Sequence, residues 1–315
     1  MHIVLLEPFF TGSHKAWAEQ LSRFSNHEIT FLTMEGKFWK WRMHGGAVTL
    51  ARKFNELTFQ PDLILASDML NLSSFLALTR HRTANIPAAL YCHENQMVYP
   101  WGERILRNNN WRHYAFINYI SALSAEHVLF NSSFHFNAFF AELPQLLTSY
   151  HDHQETGTIE TIRNKSSVLP LALDLKSFEQ YKPSEKVFNQ PPLILWNHRW
   201  EEDKDPKTFA LLMQDLHHAG YDFNIALLGE QTQKSLEAFE QLRSTLGQKN
   251  LQFGYAASFA DYAYQLWRAD LLPVTSNQDF FGGSVVEAIY CGCYPLLPNR
   301  LAYPEHVPSG EEQVL

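Results

Sequence analysis

Short apolar runs, each bounded by turn residues, recur along the chain with helical segments between them. They are HIVLLEP (2–8), EITFLTM (28–34), PDLILAS (61–67), AALYCHE (88–94), EHVLFNS (126–132) and SSVLPLAL (166–173). After a break come LILWNHRW (193–200), NIALLGE (224–230), LQFGY (251–255), LLPVTS (271–276) and CYPLLP (293–298). Nearly continuous apolar runs of this length read as strands buried on both faces, and their alternation with helices predicts parallel βαβ units. The expected fold class is α/β, with two doubly wound, Rossmann-like parallel sheets. Ligands of such sheets bind beyond the carboxyl ends of the strands, so the expected site is a cleft that the two domains face.

The break is KSFEQYKPSEKVFNQPP (176–192), polar and with three prolines, and it reads as an interdomain linker. It separates expected domains at 1–180 and 190–315. Two domains also suit the length of 315 residues, because single cores stop growing near roughly 250–300. A second polar stretch, HDHQETGTIETIRNK (151–165), reads as a surface loop of the first domain. The last strand leaves little chain for closing helices, a pattern expected of a shortened carboxyl-terminal domain.

Composition narrows the class. No apolar run approaches the roughly 20 residues that span a bilayer, and the amino terminus lacks a basic leader and a small-residue cleavage site. A protein without membrane contact is expected. Three cysteines, Cys92, Cys291 and Cys293, cannot build a disulfide framework and suit a reducing cytoplasm. A structural zinc would need four ligands, of which Cys-x-Cys offers two. The net charge of −8 is uneven: residues 1–170 carry 14 basic and 14 acidic residues, whereas 171–315 carry 11 and 19. If a polyanion binds, the first domain is the expected place.

Several motifs fall at the ends of predicted strands. NQDFFGG is a turn after LLPVTS, and SVVEAIYC is a helix closed by Gly292. The amides of Gly282, Gly283 and Ser284 then lie at a helix N-terminus, suited to phosphate or sugar hydroxyls. Asp279 and Glu287 flank this turn and can accept hydrogen bonds from sugar hydroxyls; a turn residue and a solvated helix residue are the plainer alternative. In WNHRWEEDKDP (196–206), Arg199 and Lys204 could hold a diphosphate, although Glu201, Glu202, Asp203 and Asp205 also allow a surface salt-bridge loop. In YCHENQMVYP (91–100), His93 and Glu94 end a strand, where His93 could act as a base or bind a sugar; a structural histidine is the plainer alternative. Met97 excludes a zincin motif. The first strand turns through FFTGSHKAW (9–17), whose single glycine, Gly12, excludes the dinucleotide fingerprint, while the Gly12 and Ser13 amides can approach a ligand or simply form a tight turn. Finally, KFWKWRMHGG (37–46) interleaves Lys37, Lys40, Arg42 and His44 with Phe38, Trp39 and Trp41, and Arg104, Arg107 and Arg112 follow in WGERILRNNNWRH. Such mixtures suit nucleic acid, or a solvated basic face.

The order of these features resembles the retaining GT-B glycosyltransferases of family four. The carriers are a Gly turn after strand one, His after strand four, Arg-x4-Lys, and acid-x7-Glu across a Phe-Gly turn. Within that family, EPFFTGSHKAW, YCHENQMVYP, HRWEEDKDP and EAIYCGCYPL are similar to the tRNA-queuosine mannosyltransferases, and the likeness spans residues 3 to about 305. The resemblance implies transfer of a hexose, mannose from GDP-mannose, to queuosine in a tRNA anticodon, with no cofactor and no metal. It implies that Arg199 and Lys204 neutralise the leaving diphosphate and that Glu287 holds the ribose. Asp279 with Phe281, Gly282, Gly283 and Ser284 would hold the sugar and phosphate, and His93 would contact the sugar near the reacting carbon. Gly12, Ser13 and Glu94 would lie on the acceptor side. One departure is Asp279, where the family's usual pair begins with Glu. A transferase of this fold acting on a lipid or small glycoside, and a non-catalytic nucleotide-sugar-binding protein, are the rival readings; an NAD-dependent oxidoreductase is disfavoured by the missing fingerprint.

Overall fold

A computed structural model of the chain describes residues 1–99, 111–185, 188–230 and 233–307. The chain divides into two compact units, Met1–Ala172 and Leu173–Leu315.

The first unit holds six parallel strands: β1 (His2–Phe10), β2 (Glu28–Glu35), β3 (Leu63–Ser67), β4 (Ala88–Cys92), β5 (His127–Phe130) and β6 (Ser166–Val168), in the order β2-β1-β3-β4-β5-β6. Successive side chains on a strand point to opposite faces, and here both faces are covered. Val4 and Leu6, Ile64 and Ala66, and Ala88, Leu90 and Cys92 join one core. The alternate residues Ile3 and Leu5, Leu65, and Ala89 and Tyr91 join a second, with Trp17 and Ala18. This is why the strands read as unbroken apolar runs. The helices are α1 (Gly12–Phe24), α2 (Trp39–Asn55), α3 (Leu72–Thr83), α4 (Arg112–Ser124), α5 (Ser133–Thr148) and α6 (Thr158–Arg163).

The second unit repeats the plan with β7 (Leu193–Asn197), β8 (Asn224–Leu228), β9 (Asn250–Gly254), β10 (Leu271–Pro273) and β11 (Tyr294–Leu296), in the order β11-β10-β7-β8-β9. Its helices are α7 (Pro206–His218), α8 (Gln233–Leu246), α9 (Phe259–Arg268) and α10 (Gly283–Tyr290). Leu193 and Leu195 face one core with Ala226 and Leu228, while Ile194 and Trp196 face the other with Ile225 and Leu227.

Each of the eleven predicted runs contains a strand, but two polar segments differ from expectation. Residues 176–181, expected to be linker, belong to a 3-10 helix, Leu175–Tyr181, whose Phe178 is buried in the core of the second unit, its carbonyl accepting from Trp267 Nε1 at 2.9 Å. The stretch after 151, expected to be a loop, contains α6, because Ile162 is fully buried and Tyr119 Oη bonds Thr158 Oγ1 at 2.9 Å. Among the described residues, no helix is long and apolar enough to cross a membrane. Arg104 and Arg107 lie outside the described residues.

Candidate functional site

Two polar constellations stand at strand carboxyl ends, one in each unit, and each lies where the strand order reverses. That is the position at which open α/β sheets bind ligands.

In the first unit the order reverses between β1 and β3. Glu7 interrupts the apolar face of β1 and is completely buried. One of its oxygens accepts from the Phe9 amide at 2.7 Å, and the other lies 2.9 Å from Nδ1 of His14 on α1. Burial opposes a charge on His14, yet the Glu7 carboxylate overcomes it and raises the imidazole to about 9. His14 is therefore an imidazolium at neutral pH. Its ring lies 4.3 Å from that of His93, centroid to centroid, and His93 also meets the Trp17 indole edge-on at 4.6 Å. Burial and the neighbouring His14 charge hold His93 neutral, well below the usual range. The His93 amide donates to Asp68 Oδ1 at 2.7 Å, and its carbonyl accepts from Asn131 at 2.9 Å. Asp68, just past β3, is raised to about 8 by burial, against the lowering effect of His14. Among the described residues, His93 Nε2, Asp68 Oδ2 and Asn95 Nδ2 are buried with no hydrogen-bond partner, so polar atoms are ready for a polar ligand.

Glu7, His14 and His93 also place one potential metal-ligand atom each within 4.8 Å of one another. Glu7 and His14 form an ion pair here, and a metal could bind only by displacing the His14 proton.

Of the residues expected on the acceptor side, Gly12 and Ser13 are exposed at the start of α1, with Gly12 at φ 51°. Glu94 accepts from Gln96 Nε2 at 2.7 Å.

In the second unit the order reverses between β7 and β10. After β10 the chain runs to Gly282, whose φ of 83° starts α10 from a left-handed cap. Gly283 and Ser284 form the first turn of that helix. Asn197, the last residue of β7, donates to the Ser284 carbonyl at 2.8 Å, and Nδ1 of the next residue, His198, lies 3.2 Å from Ser284 Oγ. Burial, reinforced by Lys204, lowers His198 to about 4 and keeps it neutral. His306 bonds the Phe281 carbonyl through Nε2. The turn is thus gripped from three sides, which fixes the directions of its amides.

Lys204 is buried, 8% exposed, which sets aside the surface salt-bridge loop for this cation. Its ammonium reaches Asp279 at 3.1 Å, Asp203 at 3.3 Å and the Gln278 carbonyl at 2.5 Å. Asp279 also accepts from Tyr303 Oη at 2.8 Å. Burial would raise this carboxyl, but the Lys204 charge and the Tyr303 hydrogen bond hold it below its ordinary value. Arg199 is placed differently: its side chain is 62% exposed and pairs with Glu201 at 3.2 Å. Glu287 accepts from Tyr262 Oη at 2.7 Å. Burial raises it to about 7 despite that hydrogen bond.

The structure thus joins Lys204 to Asp279 and Ser284 to His198. It also brings in Glu7, His14, Asp68, Asn197, His198, Tyr262 and Tyr303, which sequence reasoning did not single out. Glu7 had a signal, a lone acid inside an apolar strand; Tyr262 and Tyr303 had none, since their partners lie 25 and 24 residues away.

Residues 2–173 match the model of the tRNA-queuosine alpha-mannosyltransferase N-terminal domain. The chain belongs to that family. Residues 177–315 match glycosyl transferases group 1. A Drosophila melanogaster tRNA-queuosine alpha-mannosyltransferase is 33% identical over 98% of this chain and 82% of its own length. Among solved structures, Anabaena HepE in complex with UDP superposes with a TM-score of 0.64 at 16% identity, covering 98% of this chain and 83% of that one. Sucrose-phosphate synthase of Thermosynechococcus elongatus gives 0.62 at 13% identity, over 94% and 80%. The family member described here is a glycosyltransferase with the GT-B fold.

Proposed function

We propose that the chain moves mannose, with retained configuration, from GDP-mannose to the cyclopentene-diol of queuosine in a tRNA anticodon. The observation that carries the reading is the buried Lys204 beside Asp279, next to a helix N-terminus whose turn is clamped by Asn197, His198 and His306. A fixed cation and fixed amides stabilise charge that develops on a departing diphosphate, and being preorganised they cost no rearrangement as the bond breaks. The family match of residues 2–173 supports the acceptor.

In this mechanism the sugar C1–phosphate oxygen bond breaks while a bond forms from C1 to an acceptor hydroxyl. The hydroxyl's proton passes to the departing phosphate oxygen, on the same face, so no protein nucleophile is assigned. Lys204 and the amides of Gly282, Gly283 and Ser284 receive the diphosphate charge, and Arg199 adds a second cation from the surface. Asp279 and the Phe281 backbone orient the sugar, and Glu287 accepts from the ribose hydroxyls. His93 offers Nε2 to the transferred sugar, while Gly12, Ser13 and Glu94 serve the acceptor.

The test is incubation with radiolabelled nucleotide sugars and total tRNA, prepared with and without queuosine. Label from GDP-mannose confined to queuosine-containing tRNA is expected. Label in a lipid or small glycoside instead, or none in any acceptor despite donor binding, would refute the proposal.

A further inference from the structure

The amino-terminal end of α2 carries two large aromatic rings at the surface: Phe38 is 77% exposed and Trp41 62%. Phe38 occupies the left-handed region, φ 54° and ψ 50°, as the residue that caps α2, a conformation rare for a bulky residue and found where a site needs it. Its carbonyl accepts from the amides of Trp41 at 2.8 Å and Arg42 at 3.1 Å. Trp41 lies flat on its own helix, because a Cβ added at Gly45 would stand 2.6 Å from the indole ring. Glycine at 45 therefore provides a seat for one face of the indole. Trp39 between them turns inward and packs on Tyr114, centroids 5.4 Å apart.

Three cations, Lys37, Lys40 and Arg42, share this segment with the rings. Lys40 Nζ lies 5.5 Å over the Trp39 ring, Arg42 Nε bonds the Glu35 carbonyl at 3.2 Å, and Lys37 pairs with the Glu35 side chain at 2.5 Å. The last pair is exposed on both sides, so it holds Lys37 only weakly. The ledge also adjoins the expected acceptor turn, since a Cβ at Gly36 would stand 2.3 Å from the Thr11 side chain, one residue before Gly12.

Flat exposed rings among cations fit one occupant well: unpaired bases stack on the rings while phosphates meet the cations. An apolar protein partner would instead have to desolvate Lys37, Lys40 and Arg42, against which the Glu35 side chain supplies a single carboxylate. We propose that Phe38 and Trp41 form a stacking ledge for unpaired bases of the tRNA anticodon loop, with Lys37, Lys40 and Arg42 on the adjoining phosphates. This rests on the tRNA reading above and names the part of the RNA held and the residues that hold it.

The experiment titrates the full chain with two RNA hairpins of equal length and charge, one an anticodon stem-loop and the other closed by a minimal loop. Wild type should favour the open loop. Phe38→Ala and Trp41→Ala should each weaken open-loop binding roughly ten-fold or more and leave the closed hairpin nearly unaffected, with Phe38→Tyr restoring affinity. Lys40→Gln should weaken both RNAs alike. Gly45→Ala gives an independent check: it improves helix propensity but displaces the Trp41 ring, so open-loop affinity should fall while thermal stability holds or rises. Unchanged open-loop affinity in Phe38→Ala and Trp41→Ala would overturn the ledge. Failure of the transferase reading would look different, as wild-type protein that binds the loop but labels no tRNA.

Discussion

At the scale of single residues, Lys204 and Glu287 carry the sharpest expectations. Lys204 is the cation inside the second constellation and is shared between Asp279 and Asp203. Lys204→Ala should lower kcat about 10²–10³-fold, the usual loss when one preorganised charge stabiliser is removed. It should also cost about 3–5 kcal/mol of stability, because two carboxylates lose their buried partner. Kinetics and denaturant titration read the two effects separately. Exposed Arg199 should behave otherwise: Arg199→Ala should slow transfer yet leave stability within about 0.5 kcal/mol. Glu287 is raised by burial to about 7. If its ionised form accepts the ribose hydroxyls, affinity for GDP rises as pH climbs through about 7 and falls below it. Glu287→Gln should bind GDP weakly with no inflection near 7, and calorimetric titrations from pH 5.5 to 8.5 would show whether the inflection exists.

At the scale of elements, the site depends on where strands stop. Gly229 follows β8 at φ 120°, and a Cβ there would stand 1.9 Å from the His198 carbonyl. Only glycine lets the end of β8 pass so close to the segment that carries His198 and Lys204. Gly229→Ala should therefore cost about 3 kcal/mol or more, and donor affinity should drop with it because His198 must move away from Ser284; thermal melts with and without GDP test both parts. The strands themselves were legible because each is buried on two faces and leaves an unbroken apolar run. Their polar ends were legible only in part. Gly282 and Gly283 announce a turn, but nothing local shows that His198 reaches Ser284, 86 residues away. Charge also misled: among the many acids of 201–205 a solvated loop was a natural reading, yet Lys204 is pulled inward by Asp279 and the Gln278 carbonyl. The segment 176–181 looked like linker because it is polar overall, although Phe178 and Tyr181 pack against the core.

At the scale of the whole molecule, each unit has its own core, and each carries groups that answer to a different variable. In the first unit, His14 has its pKa raised from 6.5 to about 9 and Asp68 from 3.8 to about 8. Both keep protons in the folded state that the unfolded chain releases earlier. Stability from His14 is thus complete below about 6.5 and lost as pH rises through 9, and Asp68 adds to the loss up to about 8. In the second unit Glu287 has finished titrating by about pH 8, so that unit should change little over the same range. GDP should act in the opposite pattern: at about 100 times its Kd it adds about 2.7 kcal/mol to the unit that binds it, a shift of roughly 5–10 °C. Calorimetry of the full chain should therefore show two transitions. Raising the pH from 7.5 to 9 should lower one of them, and Glu7→Gln with His14→Gln should remove that sensitivity except for the part due to Asp68. Adding GDP should raise the other, and Lys204→Ala should largely erase the shift. A single transition that follows both pH and GDP would mean that the units unfold as one, and a GDP shift confined to the pH-sensitive transition would move the donor to the first unit and overturn the assignment of Lys204.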